Sequence, residues 1–80
     1  MITLLFFAKL REDVGTASLE LEFSGSVAEL KALLGERGPE WAEALSRENL
    51  RCAVNQAVAS EQQTIVAGDE VAFFPPVTGG

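Results

Sequence analysis

The most apolar stretches of this chain stand at its two ends, and no other feature restricts the fold as much. Residues 2–8 (ITLLFFA) and 70–74 (EVAFF) are short, aromatic and partly β-branched, which is the composition of strands. A chain of 80 residues builds one domain around one core. Its two greasiest strands therefore belong side by side in the middle of a single sheet. With the rest of the chain between them, they run parallel.

The intervening segments fill in the order strand, strand, helix, strand, strand. Residues 9–14 carry Leu10 and Val14 four apart and read as one helical turn, ended by Gly15-Thr16. Residues 17–23 alternate, with Leu19, Leu21 and Phe23 on one side and Ser18, Glu20 and Glu22 on the wet side. Ser24-Gly25-Ser26 reads as a turn. Ser26 and Glu29 form a capping box that opens a helix. Val27, Leu30, Leu33 and Leu34 give that helix one apolar face, and Gly35 or Gly38 stops it. Pro39 suits the first position of another short helix, with Trp41, Ala44 and Leu45 as its buried stripe. Residues 50–55 form a strand with Leu50, Cys52 and Val54 on one face, and residues 57–59 its short return. Ala67-Gly68-Asp69 is a turn before the last strand. The expected fold is α+β, a β-grasp or ubiquitin-like arrangement. It has a mixed sheet of four to five strands, one main helix and short extra helices. Residues 1–74 are expected to form the domain and residues 75–80 a flexible C-terminal Gly-Gly tail.

Parity sharpens this picture. Ile2, Leu4 and Phe6 share a strand face with Val71 and Phe73 across the pair, and the helix can cover them. Leu5, Phe7 and Phe74 then face the other way, and Val58 joins them. A sheet with one helical layer needs only one apolar face. The second is either a protein–protein surface or is covered by the short Trp41 helix or a loop.

Composition removes several function classes. The net charge of −6 argues against nucleic acid, since Lys and Arg supply most of that affinity by neutralising phosphates. It is compatible with a basic partner surface. The apolar fraction of 48% builds a core, yet no apolar run approaches the ~18 residues of a membrane span. Residues 1–5 lack the basic start of a signal peptide, so a cytoplasmic protein without membrane contact is expected. There is no His and one Cys. That leaves no His-dependent triad, no internal disulfide, no thiolate zinc site and no expected metal. No glycine-rich phosphate loop is present. The chain is not expected to be an enzyme on its own.

The C-terminus offers different chemistry. Pro75 and Pro76 lack N–H groups and cannot continue a strand, so Val77-Thr78-Gly79-Gly80 is expected to hang free behind them. An α-carboxylate is a resonance-stabilised anion and a poor electrophile. It becomes an acyl donor only after gaining a leaving group, such as AMP from ATP. Glycines without Cβ atoms can thread the narrow channel of an activating enzyme. Six extended residues reach about 20 Å, at about 3.3 Å each.

The tail FFPPVTGG (residues 73–80), preceded by Gly68-Asp69-Glu70-Val71, closely resembles the small subunit of molybdopterin synthase. The match extends to Leu5-Phe6-Phe7-Ala8, Arg11-Glu12 and residues 53–56 (AVNQ), and it covers the whole chain. The middle, residues 24–48, is generic helix. The resemblance implies a sulfur carrier of molybdenum cofactor biosynthesis. An ATP-dependent, E1-like enzyme adenylates the Gly80 carboxylate, and sulfur from a persulfide donor converts it to a thiocarboxylate. The loaded tail, with Gly79 behind Gly80, enters the large subunit. There it gives sulfur to cyclic pyranopterin monophosphate. The family's synthase is a heterotetramer, and no permanently bound cofactor is implied for the carrier. Phe7 and Phe74 match family positions that contact partners. Leu5, Val58, Arg11, Pro75, Pro76, Val77 and Thr78 complete the expected partner-binding set. Cys52 shares a face with Leu50 and Val54, and reads as a buried structural thiol. Glu36, Glu40, Glu43 and Glu48 read as a solvated face. Carriers for thiazole or cysteine synthesis share this fold and ending. A ubiquitin-like modifier joined to lysines and a β-grasp module with an inert tail are further alternatives.

Overall fold

The computed structural model describes residues 1–75. The expected tail beyond Pro75, Pro76 to Gly80, lies outside the described residues. In chain order the elements are β1 (Ile2–Phe6), α1 (Ala8–Val14), β2 (Ser18–Leu21), β3 (Gly25–Ser26) and α2 (Val27–Gly35). They are followed by α3 (Pro39–Leu45), β4 (Arg51–Val54), β5 (Ala57–Val58), β6 (Thr64–Ile65) and β7 (Glu70–Phe74). Five strands form one sheet in the order β2-β1-β7-β4-β5. The first and last strands are neighbours and parallel, with Leu4 opposite Val71 and Phe6 opposite Phe73. The other pairings in the sheet are antiparallel. This is the expected β-grasp topology.

The core forms where the even positions of β1 meet the odd positions of β7. Ile2, Leu4, Val71 and Phe73 are fully buried and Phe6 nearly so. Phe6 stacks on Phe73 with centroids 6.1 Å apart and meets the edge of Trp41 at 5.3 Å. Leu10 and Val14 of α1, Val27, Leu30 and Leu34 of α2, and Trp41, Ala44 and Leu45 of α3 join the same cluster. All three helices therefore lie against one side of the sheet.

Local signals explain most boundaries. The Ser26 hydroxyl accepts from the Glu29 N–H at 3.1 Å, and the Glu29 carboxylate accepts from the Ser26 N–H at 2.8 Å, a reciprocal capping box. Gly15 closes α1 at φ 68°, and its N–H donates to the Arg11 carbonyl at 2.9 Å. Asn55 and Gln56 both have positive φ, at 51° and 71°. They make the tight turn joining β4 to β5.

Three details differ from the sequence reading. Gly25-Ser26 is not a bare turn but β3, paired with β6 in a separate two-stranded sheet. Gly35 is the last residue of α2, and Glu36 caps it in right-handed geometry, so no left-handed glycine stops that helix. Leu33 leaves the buried face of α2 and is 38% exposed. Leu30 and Leu34 already occupy the helix–sheet contact, and Leu33 is rotated towards the open side.

The short helices α1 and α3 are tied by charge. Arg47 donates to Asp13 at 2.7 Å and to Glu43 at 2.7 Å, and Lys9 reaches Asp13 at 3.2 Å. The Arg47 hydrogen bond holds the Asp13 carboxyl below its usual pKa, assisted by Lys9 and opposed by desolvation. A carboxyl depressed in this way stabilises the fold above its unfolded pKa of about 3.9. The benefit disappears as pH falls through the folded value. Urea midpoints of the parent and Asp13→Asn should therefore separate above about pH 5 and converge as pH falls through the depressed folded pKa. The gap should be modest, because partly exposed pairs contribute little. A constant gap across that range would rule out this ionic role.

Candidate functional site

The face of the sheet opposite the helices carries the residues that parity set aside. Leu5 stands opposite Ala72, Ala72 opposite Ala53, and Ala53 opposite Val58. These four residues make an apolar row running across β1, β7, β4 and β5. Val58 is 77% exposed and Phe7 47%, while Leu5, Ala72 and Phe74 are half-buried. Ala53 is buried yet lies outside the helix-side cluster. Its small side chain forms the floor of the row.

Phe7 and Phe74 stand to one side of this row, two residues beyond Leu5 and Ala72 along the strand direction. Phe7 follows β1 directly, and its N–H donates to the Phe73 carbonyl at 3.2 Å. That bond sets its backbone beside the end of β7. Phe74 is the last residue of β7, opposite Arg51 of β4. Pro75 follows, half-buried. Arg11 donates its N–H to the Phe7 carbonyl at 3.3 Å and exposes its side chain in the first turns of α1. The two phenylalanines and the exposed Arg51 thus share the end of the sheet at which the chain leaves β7, with Arg11 exposed on the neighbouring helix α1. At the other end of the same face Thr3 stands between Glu20 and Glu70. The face is cationic and aromatic at one end, apolar in the middle and acidic at the other.

Among the described residues, no helix or loop covers this row. The alternative in which the Trp41 helix covers it is excluded, because Trp41 packs on Phe6 on the opposite side. Leu5, Phe7, Val58 and Phe74 lie on this face and Pro75 follows Phe74 at its edge, whereas Arg11 stands exposed on α1, whose buried residues pack on the helix side. Pro76, Val77, Thr78, Gly79 and Gly80 lie outside the described residues. Sequence reasoning did not select Arg51 or Ala53 for this face. Arg51 and Ala53 alternate with Cys52 and Val54, and that parity was the available signal.

Two polar features have structural work. The Asp69 carboxylate accepts the Val66 N–H at 2.9 Å and the Asn55 side-chain amide at 3.0 Å. The Val66 N–H first, and then Asn55, hold its pKa below the usual value. Asn55 also accepts the Glu70 N–H at 3.0 Å, so this pair fastens the turn before β7 to the β4–β5 turn. Cys52 is buried on the helix side, and burial pushes its thiol up to about 11. At neutral pH it is a protonated thiol and a poor nucleophile. Cys52 is thus placed as a structural thiol of the core.

Comparison with known proteins is consistent with this arrangement. The ThiS family model matches residues 4–80. The chain is 46% identical over 81 residues to the molybdopterin synthase sulfur carrier subunit of Escherichia coli (strain K12). It is 42% identical over 81 residues to the protein of the same name from Haemophilus influenzae. Both alignments cover 100% of each chain. A solved structure described as a protein–protein complex of subunits 1 and 2 of molybdopterin-converting factor from Helicobacter pylori shares the fold. It superimposes with a TM-score of 0.70 at 20% identity, covering 99% of this chain and 97% of that one. By the extent of the family match and by its identity to full-length relatives, the chain belongs to the ThiS family.

Proposed function

We infer that this chain is the sulfur carrier subunit of a molybdopterin synthase, active through its C-terminal glycine. End-to-end identity of 46% to a protein of that name carries the inference. The aromatic end of the uncovered sheet face, at the point where the chain leaves β7, supports it. Residues 1–74 serve as the docking body and residues 75–80 as the arm. Phe7 and Phe74 anchor the body on a partner, flanked by Leu5, Val58 and Arg11. Pro75, Pro76, Val77 and Thr78 thread the partner's channel.

The chemistry follows from the chain end. An ATP-dependent activating enzyme in the cytoplasm converts the Gly80 carboxylate to an acyl adenylate. The outer sulfur of a persulfide donor attacks the adenylate and expels AMP to give an acyl disulfide, and a second thiol then cleaves the S–S bond, releasing the thiocarboxylate as a new disulfide forms on the donor side. The large subunit then positions that group against cyclic pyranopterin monophosphate. The carrier contributes the nucleophilic sulfur, and the pterin-binding groups belong to the large subunit. One difficult sulfur insertion is thereby divided into easier steps on several proteins. The assembly is a heterotetramer with two carriers.

Intact mass spectrometry after incubation with ATP, the cognate activating enzyme and a sulfur donor tests this reading. An oxygen-for-sulfur exchange is expected, located in the C-terminal peptide and absent from the Cys52 peptide. Adducts on lysines of other proteins would instead identify a modifier. An unchanged mass would identify an inert tail.

A further inference from the structure

The five-stranded sheet ends in β5 on one side and β2 on the other. β5 is two residues long, too short to template a new strand, whereas β2 has four. The Phe6 N–H donates to the Ala17 carbonyl at 2.9 Å, and the register sets Leu19 opposite Leu4 and Leu21 opposite Ile2. Antiparallel pairs alternate between bonded and unbonded positions. Residues 17, 19 and 21 therefore turn their backbone groups towards β1. Ser18 and Glu20 turn theirs outward, to the open edge.

The two sides of this edge differ in chemistry. On the helix side lies a cleft of about 240 Å³ lined by Leu21, Leu33, Leu34, Glu36 and Arg37. Leu33, displaced from the core, forms its exposed apolar wall. Arg37 is held over the Trp41 ring at 4.9 Å and forms part of the rim. On the opposite side Glu20 and Glu22 stand exposed.

We propose that the β2 edge accepts an extended segment of another protein as a sixth strand, with apolar side chains on one face and lysines or arginines on the other. Side chains of such a segment alternate between the two sides of the sheet. One set enters the Leu21–Leu33–Leu34 cleft, and the other meets Glu20 and Glu22. Main-chain hydrogen bonds supply affinity and the alternation supplies specificity. A second copy of this chain is the wrong occupant. Pairing two β2 edges sets Glu20 and Glu22 against their own kind, and like charges opposed across strands destabilise the pair. The cleft lies on the helix side, and Glu20 stands at the acidic end of the open face, opposite the end that carries Phe7 and Phe74, so this site goes beyond the carrier reading.

The probe is a capped eight-residue peptide of alternating valine and lysine, titrated into the isotope-labelled full chain and followed by amide NMR shifts. Shifts confined to residues 18–22 and 33–37 are expected. A peptide of the same composition with its valines and lysines in two blocks should bind at least about tenfold more weakly. N-methylation at alternate residues should abolish binding in one phase of the alternation and spare it in the other. The double substitution Glu20→Lys, Glu22→Lys and the single Leu33→Ser should each weaken binding, and both change exposed side chains only. Equal binding of the blocked peptide would reduce the effect to bulk charge attraction and overturn the proposal. So would shifts centred on Phe7 and Phe74, an absence of shifts, or concentration-dependent shifts at β2 without peptide.

Discussion

Deleting Gly80 is expected to abolish sulfur loading while leaving the unfolding curve unchanged. The truncation draws the terminal carboxylate back by about 3.3 Å. A misplacement of even about 1 Å in a reacting group can cost roughly a hundredfold in rate, so the loss should exceed that. The core that holds the domain together lies within residues 2–73. Loading is read by intact mass against time, and stability by urea unfolding of the same samples. Loading at the parental rate would remove the chain end from the mechanism. A large loss of stability would show that the glycine is packed into the domain and not presented by it.

The adjacent phenylalanines at the end of β7 should separate stability from docking. Phe73 is fully buried and stacked on Phe6. Phe73→Ala is expected to cost about 3–5 kcal/mol of stability. In a domain of this size that lowers the melting temperature on the order of 12–40 °C. Phe74 faces the other way, half-buried beside the open row. Phe74→Ala should cost about 1 kcal/mol in stability but at least about 2 kcal/mol, roughly thirtyfold, in affinity for the large subunit. Calorimetric titration of that subunit and thermal melts of both variants give the comparison. If Phe74→Ala proves the more destabilising and leaves affinity intact, the docking face lies elsewhere.

The contrast between Phe73 and Phe74 rests on parity, and parity was legible in the sequence. The two apolar end strands had to neighbour each other, and β1 and β7 do. The capping box at Ser26 and Glu29 formed as read, because it needs only two side chains three residues apart. The candidate site was half legible. Leu5, Phe7, Phe74 and Val58 came from alternation, and Arg11 from resemblance to a family. Arg51 and Ala53 share that face but were passed over.

What the residues determined alone are properties carried by short-range spacing: strand and helix periods, caps, turns, and the two-sided apolar character of β1 and β7. Tertiary structure alone decided that only one of the two greasy faces is covered by helices. Leu4 and Leu5 are equally apolar, and only the packing of all three helices on the Leu4 side leaves Leu5 outside. It also decided that Gly25-Ser26 would find Thr64-Ile65, that Asp13 would meet Arg47, and that Leu33 would border the open edge of β2. Such contacts join residues far apart in the chain. They exist only after the whole domain closes, so no local pattern encodes them.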